Sequence, residues 1–333
     1  MSIPFDDIAA ARKRIAGRIA ATPTRLSPSL TAMAGQRVIL KCEHRQTTGS
    51  FKLRGASNAL ALLSDEAKRR GVVAASTGNH GRALAHAARL EGVAATICMS
   101  RLVPANKLAE IERLGAAIRI VGDSQDEAQQ EVDRLVAGAG MTMVPPFDHA
   151  DVIAGQGTLG LEIVEAVPDA AMVLVPVSGG GLAAGVAAAV KALKPAARLV
   201  GVSMERGAAM KASLDAGRPV EVREERSLAD SLGGGIGLDN RLTFAMCRAL
   251  LDEVVLVSEA EIAAGMRHLH AEKGEIVEGA GAVGVAALLA GKVRPDGPPE
   301  GSIVAILSGA NVDPDLHRRV IAGENPYEGE GAP

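Results

Sequence analysis

Aromatic residues are nearly absent from this chain of 333 residues. They make up 2% of it, there is no Trp, and the one tyrosine, Tyr327, falls in the closing segment GENPYEGEGAP. A tyrosine acid or base is thereby disfavoured, and a core drawn from a 47% hydrophobic composition must be built of Ala, Val, Leu, Ile and Met. Cysteine is scarce as well. Cys42, Cys98 and Cys247 are odd in number, and no two have CxxC spacing. This argues against a disulfide framework and for a reduced, cytoplasmic setting in which each is a small core residue. No long basic run occurs and the formal net charge is −3, so nucleic acid, whose phosphates need clustered Lys and Arg, is not expected as a partner. The N-terminal MSIPFDDIAAARKRIAG carries acids in a helical pattern, unlike a signal peptide. Apolar stretches such as VAAAVKALK are broken by charge, and none is expected to cross a membrane. The seven histidines suggest no metal constellation: His268 and His270 are two apart, His80 and His86 six apart, and both spacings diverge on a helix.

What the chain has in plenty is short aliphatic runs. Val38–Lys41, Val72–Ala75, Ala95–Met99, Ala117–Val121, Met141–Val144, Met172–Val177, Leu199–Ser203, Val254–Val257 and Ile303–Leu307 read as strands, with helical, Ala-rich stretches between most of them. Apolar strands alternating with helices predict an α/β fold of parallel or mostly parallel sheets flanked by helices. Nine strands suggest two sheets rather than one. No linker divides the chain cleanly and no internal repeat is visible; glycine clusters instead mark strand-to-helix turns at Thr77–Gly81, Ser178–Gly181 and Gly233–Gly237. The acidic, Gly-rich stretch 324–333 reads as a disordered tail.

Two of these turns suggest chemistry. After the strand VILK comes TTGSFKLRGA, in which Ser50 is a plausible N-cap and Lys52 falls in the first helical turn. The positive helix end disfavours an ammonium there and lowers the amine's pKa, as a Schiff-base lysine requires. On this segment alone a solvated lysine is the blander reading. After the apolar run Val173–Val177, Ser178-Gly179-Gly180-Gly181-Leu182 opens a helix. Glycines let backbone amides approach a phosphate, and the helix N-terminus adds a favourable field. The same loop also satisfies a dinucleotide fingerprint, Gly179-x-Gly181-x-x-Ala184 with Glu205 after the next strand, which keeps a nicotinamide oxidoreductase as a rival.

SFKLRGA, STGNHG, SGGGL and SGAN occur in that order between about Thr22 and Asp313. Together they resemble the fold-type II pyridoxal-phosphate family of serine and threonine dehydratases and serine racemase, which has the tryptophan-synthase-β-like fold. The nicotinamide reading leaves three of the four motifs unexplained, and a non-catalytic amino-acid sensor would have no use for lysine and phosphate loop together. The resemblance implies that pyridoxal 5'-phosphate is the cofactor and that Lys52 holds it covalently and acts as base. It further implies that Phe51 lies beside it, that Asn79 bonds the 3-oxygen of its ring, that Gly179, Gly180, Gly181 and Leu182 bind its phosphate, and that Ser308 faces its ring nitrogen. The substrate carboxylate would be received by backbone N–H groups of Ser76, Thr77, Gly78, Asn79 and His80, with Ser231 near the substrate side chain. A large cofactor-binding domain of residues 1–68 and 149–323, a small mobile domain of 69–148, and a homodimer or higher homo-oligomer are expected.

Departures from the family narrow the reading. Thr77 stands where serine racemase has the serine acid, which disfavours racemisation. The racemase's metal-site acids fall on Ser203 and Ala209, so no metal is expected. Threonine dehydratases commonly have ADG where this chain has Ala229-Asp230-Ser231, and neither the regulatory domain of the biosynthetic threonine dehydratase nor its isoleucine feedback is expected. VSMERGAAM, LADSLGGGIGL and CMSRLVPANK are most similar to the branch of the family that acts in hydroxyectoine utilization. The implied reaction removes water from a β-hydroxy α-amino acid to leave a 2-oxo acid and ammonia; a catabolic threonine, serine or hydroxyaspartate ammonia-lyase is the alternative.

Overall fold

The structure, a computed structural model, describes residues 2–76, 78–101, 105–293 and 301–327. Among the described residues ten strands are formed: β1 (Thr24–Leu26), β2 (Val38–Lys41), β3 (Val72–Ala75), β4 (Ala95–Met99), β5 (Ala117–Ile120), β6 (Thr142–Met143), β7 (Ala170–Pro176), β8 (Arg198–Met204), β9 (Glu253–Val257) and β10 (Ser302–Ile306). They make two sheets, of order β1-β2-β10-β7-β8-β9 and β5-β4-β3-β6. All pairings are parallel except β1 with β2. The α/β expectation of two mostly parallel sheets thus holds, and all nine expected strands are present. The tenth, β1, was not expected: Thr-Arg-Leu is too short and too polar to show a run, and it is held by an edge pairing.

The period of two along the central strands explains their burial. Ile39, Val173, Val175, Val304 and Ile306 enter one core, and their neighbours Val38, Leu40, Met172, Leu174, Ile303 and Ala305 enter another on the opposite face. Small residues replace aromatics in the helical layers. A Cβ on Gly185 would lie 2.4 Å from the carbonyl oxygen of Ile153, so the helices Ala150–Ala166 and Gly181–Leu193 pack backbone against backbone.

Neither sheet's strand order follows the sequence in one direction. In the larger sheet the order reverses between β10 and β7, and in the smaller one between β3 and β6. Ligand crevices of parallel sheets form at the carboxyl ends of strands at such reversals. The segments leaving these strands are 307–311, 177–181, 76–80 and 144–147, and all four contribute to one cavity. The helix Lys52–Ala61 lies between the two bodies. Its Leu53, Ala56, Ala59 and Leu60 share a core with Val72, Ala74, Ile97 and Met99 of the smaller sheet. An expected boundary at 68/69 therefore falls beyond a helix whose apolar face serves the smaller body. At the C-terminus Tyr327 packs on the larger body's core, Arg206 donates to its carbonyl oxygen and Glu324 pairs with Arg319. Residues 324–327 of the expected tail are thus tied down, and 328–333 lie outside the described residues.

Candidate active site

The cavity between the sheets has a volume of about 430 Å³ and is lined by Phe51, Lys52, Ser76, Gly78, Asn79, His80, Ser178, the glycines 179–181, Leu182, Ser231 and Ser308. The strand ends at the two reversals bring Ser76, Gly78, Asn79, His80, Ser178, the glycines 179–181 and Ser308 together, while Phe51 and Lys52 follow β2. Thr77 lies outside the described residues.

Lys52 is the first residue of its helix, but the cap is Phe51, which makes no side-chain cap bond. Ser50 is not the N-cap. It pairs by backbone with Gly309, and its buried hydroxyl has no hydrogen-bond partner among the described residues. The reason is tertiary: Phe51 N–H donates to Ser308 O (3.1 Å) and Ala310 N–H to Gly49 O (2.9 Å), so the lysine segment is zipped to the SGAN segment. Lys52 Nζ donates to the carbonyl oxygen of Pro146 at 2.8 Å and stands 5.3 Å from the centre of the Phe51 ring. Burial lowers the amine's pKa from 10.5 to about 8, opposed by the Glu278 carboxylate. Desolvation, rather than the helix end expected from sequence, is the leading cause.

The glycine loop lies across the cavity. Gly180 is the N-cap of the helix Gly181–Leu193 with φ 86°, a left-handed conformation that favours glycine. The opening N–H groups of that helix have no intrahelical acceptors. A Cβ on Gly179 would meet the Phe147 ring at 2.3 Å, and one on Gly180 the Cys247 sulfur at 3.0 Å, so side chains are excluded on both. Cys247 is buried and its thiol is pushed up to about 12 by desolvation; Cys42 and Cys98 are buried too.

The third wall is the start of the helix Asn79–Glu91. Ser76 differs from its expected part. Its backbone N–H donates to Cys98 O, continuing the β3–β4 ladder, and its hydroxyl accepts from Gly81 N–H at 3.0 Å and from Gly78 N–H at 3.4 Å. The N–H groups of Asn79 and His80, in the first helical turn, are the ones that helix geometry leaves for an anion. His80 Nε2 donates to Val144 O at 2.7 Å; burial, and then the charge of Lys52, push its pKa down to about 3. It is a neutral strut. Ser308 is buried on the cavity wall, and Ser231 sits in the 3-10 turn Asp230–Leu232 at the opening.

Sequence reasoning missed Glu278, Asn311, Arg82 and Phe147. Asn79 Nδ2 donates to Glu278 Oε1 (2.8 Å), and Asn311 Nδ2 donates to Asn79 Oδ1 (2.5 Å). Asn311 N–H donates to Glu278 Oε2 (3.1 Å), and Arg82 Nη1 donates to Asn311 Oδ1 (2.9 Å). Asn311 was within reach as the last residue of SGAN; Glu278, before GAGAVG, has no local signal. Glu205, the acid of the dinucleotide alternative, pairs with Lys292 and does not line the cavity. His268 instead contacts Glu272 and Ser29, and His270 stacks edge-on with His317. Among the described residues no group of three metal-ligating side chains occurs, and no described helix is long and apolar enough to cross a membrane.

A partly neutral amine facing a glycine-built anion cradle, within a cavity at two sheet reversals, defines a site for an anionic carbonyl compound. The donors fit pyridoxal phosphate: an amine for its aldehyde, helix-end N–H groups for its phosphate, and an amide and a hydroxyl for its ring. The chain belongs to the family of pyridoxal-phosphate dependent enzymes, whose model matches residues 15–309, and its two-sheet architecture is that of the fold-type II members. It is 63% identical over 322 residues to a Sinorhizobium fredii protein named "Putative threonine dehydratase", covering 97% of this chain and 96% of the relative. It is 40% identical to the L-threonine ammonia-lyase of Thermotoga maritima, covering 96% and 78%. The structure of maize serine racemase superposes with a TM-score of 0.91 at 34% identity, covering 97% and 98%.

Proposed function

We propose that this enzyme, a threonine/serine dehydratase-type ammonia-lyase dependent on pyridoxal phosphate, acts in hydroxyectoine degradation on a ring-opened hydroxy-diaminobutyrate. The observation that carries the lyase reading is the half-buried amine of Lys52 with its pKa near 8, opposite the Gly179–Gly181 cradle. When bound, pyridoxal phosphate supplies an electron sink for the bond broken at Cα. Lys52 would hold the cofactor at its aldehyde and, as a neutral amine in the cavity, would take the Cα proton of the substrate. The N–H groups of Asn79 and His80 would hold the substrate carboxylate, and the neutral Ser308 hydroxyl would not force protonation of the cofactor's ring nitrogen, which suits elimination. Loss of the Cα proton and the β-hydroxyl gives water and an aminoacrylate, whose hydrolysis gives a 2-oxo acid and ammonia.

The substrate assignment rests on the likeness of segments 202–210, 228–238 and 98–107 to the hydroxyectoine branch and on chemistry. Residues 102–104 of the last segment lie outside the described residues. Cofactor exchange needs a primary α-amine, which intact hydroxyectoine lacks because that nitrogen is in its ring. Ring opening and deacylation at that nitrogen would supply it and leave the hydroxyl β to the carboxylate. The second reading, a catabolic threonine ammonia-lyase, is favoured by the names of the Sinorhizobium and Thermotoga relatives. The assay is release of ammonia and 2-oxo acid from each compound in parallel, with Lys52→Ala as control. The ring-opened compounds should have the highest kcat/KM, threonine and serine lower values, intact hydroxyectoine none, and Lys52→Ala no turnover. Inert ring-opened compounds beside active threonine would sink the pathway assignment and leave the lyase; turnover by Lys52→Ala would sink the lysine's role.

A further inference from the structure

We propose that Glu278 and Asn311 are positioning residues that lock the Asn79 amide in one orientation, with a single N–H left to donate into the cofactor cavity. The inference rests on the reading of Asn79 as the residue that bonds the cofactor's ring oxygen.

The three residues close a ring. Asn79 gives one amide hydrogen to Glu278 Oε1 and accepts at Oδ1 from Asn311 Nδ2, while Asn311 returns to Glu278 Oε2 through its backbone N–H. Glu278 is 3% exposed and Asn79 8%, so water does not compete for these bonds. The orientation follows from donor and acceptor types. A carboxylate has no hydrogen to offer, so the Asn79 group facing Glu278 is the NH₂; Asn311 faces the other group with a hydrogen, so that group is the oxygen. A reversed Asn79 would set oxygen against carboxylate and NH₂ against NH₂. Asn311 is itself oriented: its Nδ2 also donates to Thr48 O at 2.9 Å, and its Oδ1 accepts from Arg82. Close packing holds the acid in place, since a Cβ on Gly309 would lie 2.5 Å from Glu278 Oε1. Asn79 and Arg82 come from the smaller body, Glu278 and Asn311 from the larger, so the amide is set only when the two bodies meet.

Glu278→Gln is the informative change. A glutamine amide accepts at one end only, so it cannot serve both Asn79 Nδ2 and Asn311 N–H. The apoproteins of wild type, Asn79→Ala, Glu278→Gln and the double variant are titrated with pyridoxal phosphate, and the visible absorbance of each holoenzyme is followed against pH. Loss of one charge-assisted hydrogen bond should weaken cofactor binding roughly tenfold in each single variant and move the pH midpoint of the absorbance. The double variant should bind no more weakly than Asn79→Ala alone, because Glu278 acts through Asn79. Additive losses, or unchanged affinity and spectrum in Glu278→Gln, would overturn the inference while leaving Asn79 as a cofactor residue. Unchanged behaviour of Asn79→Ala would remove the underlying reading and this one with it. Should Glu278→Gln not fold, Asn311→Asp breaks the ring from the other side while keeping the backbone N–H and the Arg82 contact, and the same non-additivity with Asn79→Ala is expected.

Discussion

At Lys52 two influences oppose one another. Burial disfavours the ammonium, and the Glu278 carboxylate favours it, with burial the larger. The amine has a pKa of about 8 rather than 10.5, so roughly a tenth of it is neutral at pH 7 and most above pH 9. Only the neutral amine attacks an aldehyde. The rate at which apoprotein captures pyridoxal phosphate should therefore rise with pH and level off above about 8. Stopped-flow absorbance measures this; a rate still climbing at pH 10 would show a lysine with an ordinary pKa.

The element that presents Lys52 is fixed by the residue two places on. Arg54, fully buried, donates to both oxygens of Glu43 at 2.8 Å, to Glu162 at 2.7 and 2.9 Å and to Thr158 at 3.1 Å. Lys41 completes the network through Glu162 and Thr22 O. These charges tie the Lys52 helix to β2 and to the helix Ala150–Ala166. Gly55 lets the helices approach, since a Cβ there would lie 2.4 Å from Gln156 Nε2. The arginine of SFKLRGA is thus an anchor for the lysine, not a substrate ligand. Arg54→Met leaves Glu43 buried without its partner and should cost about 3–5 kcal/mol of stability. Urea denaturation of the apoprotein measures it, and a loss within 1 kcal/mol would mean the network contributes little.

Over the whole molecule the cavity is shared by two bodies, and its walls come from both sheets. A ligand held there stabilises their association, because it binds the folded state and not the unfolded chain. Cofactor at a hundred times its Kd should add about 2.7 kcal/mol, seen as a higher melting temperature of holoenzyme than of apoprotein. If Lys52 holds the cofactor covalently as proposed, Lys52→Ala should lose most of that increment. Equal melting of apo and holo wild type would place the cofactor outside the interface.

Strand positions, the two-sheet class and the order of the glycine turns were legible because buried parallel strands leave unbroken aliphatic runs, and tight turns leave glycine; both are local demands. That Lys52, Asn79 and the 179–181 loop would line one cavity was legible because their motifs carry chemistry in consecutive residues. β1 was not, being three residues held by pairing alone. Ser50 failed as a cap, Ser76 lost its N–H to a neighbouring strand, and Glu278 and Asn311 stayed invisible as partners of Asn79. In each case the deciding hydrogen bond comes from a segment remote in the chain. The sequence by itself determined which residues are suited to hold an anion or an amine; only the tertiary structure decided which donors remain free for that work, because a hydrogen is committed by whichever acceptor folding brings nearest.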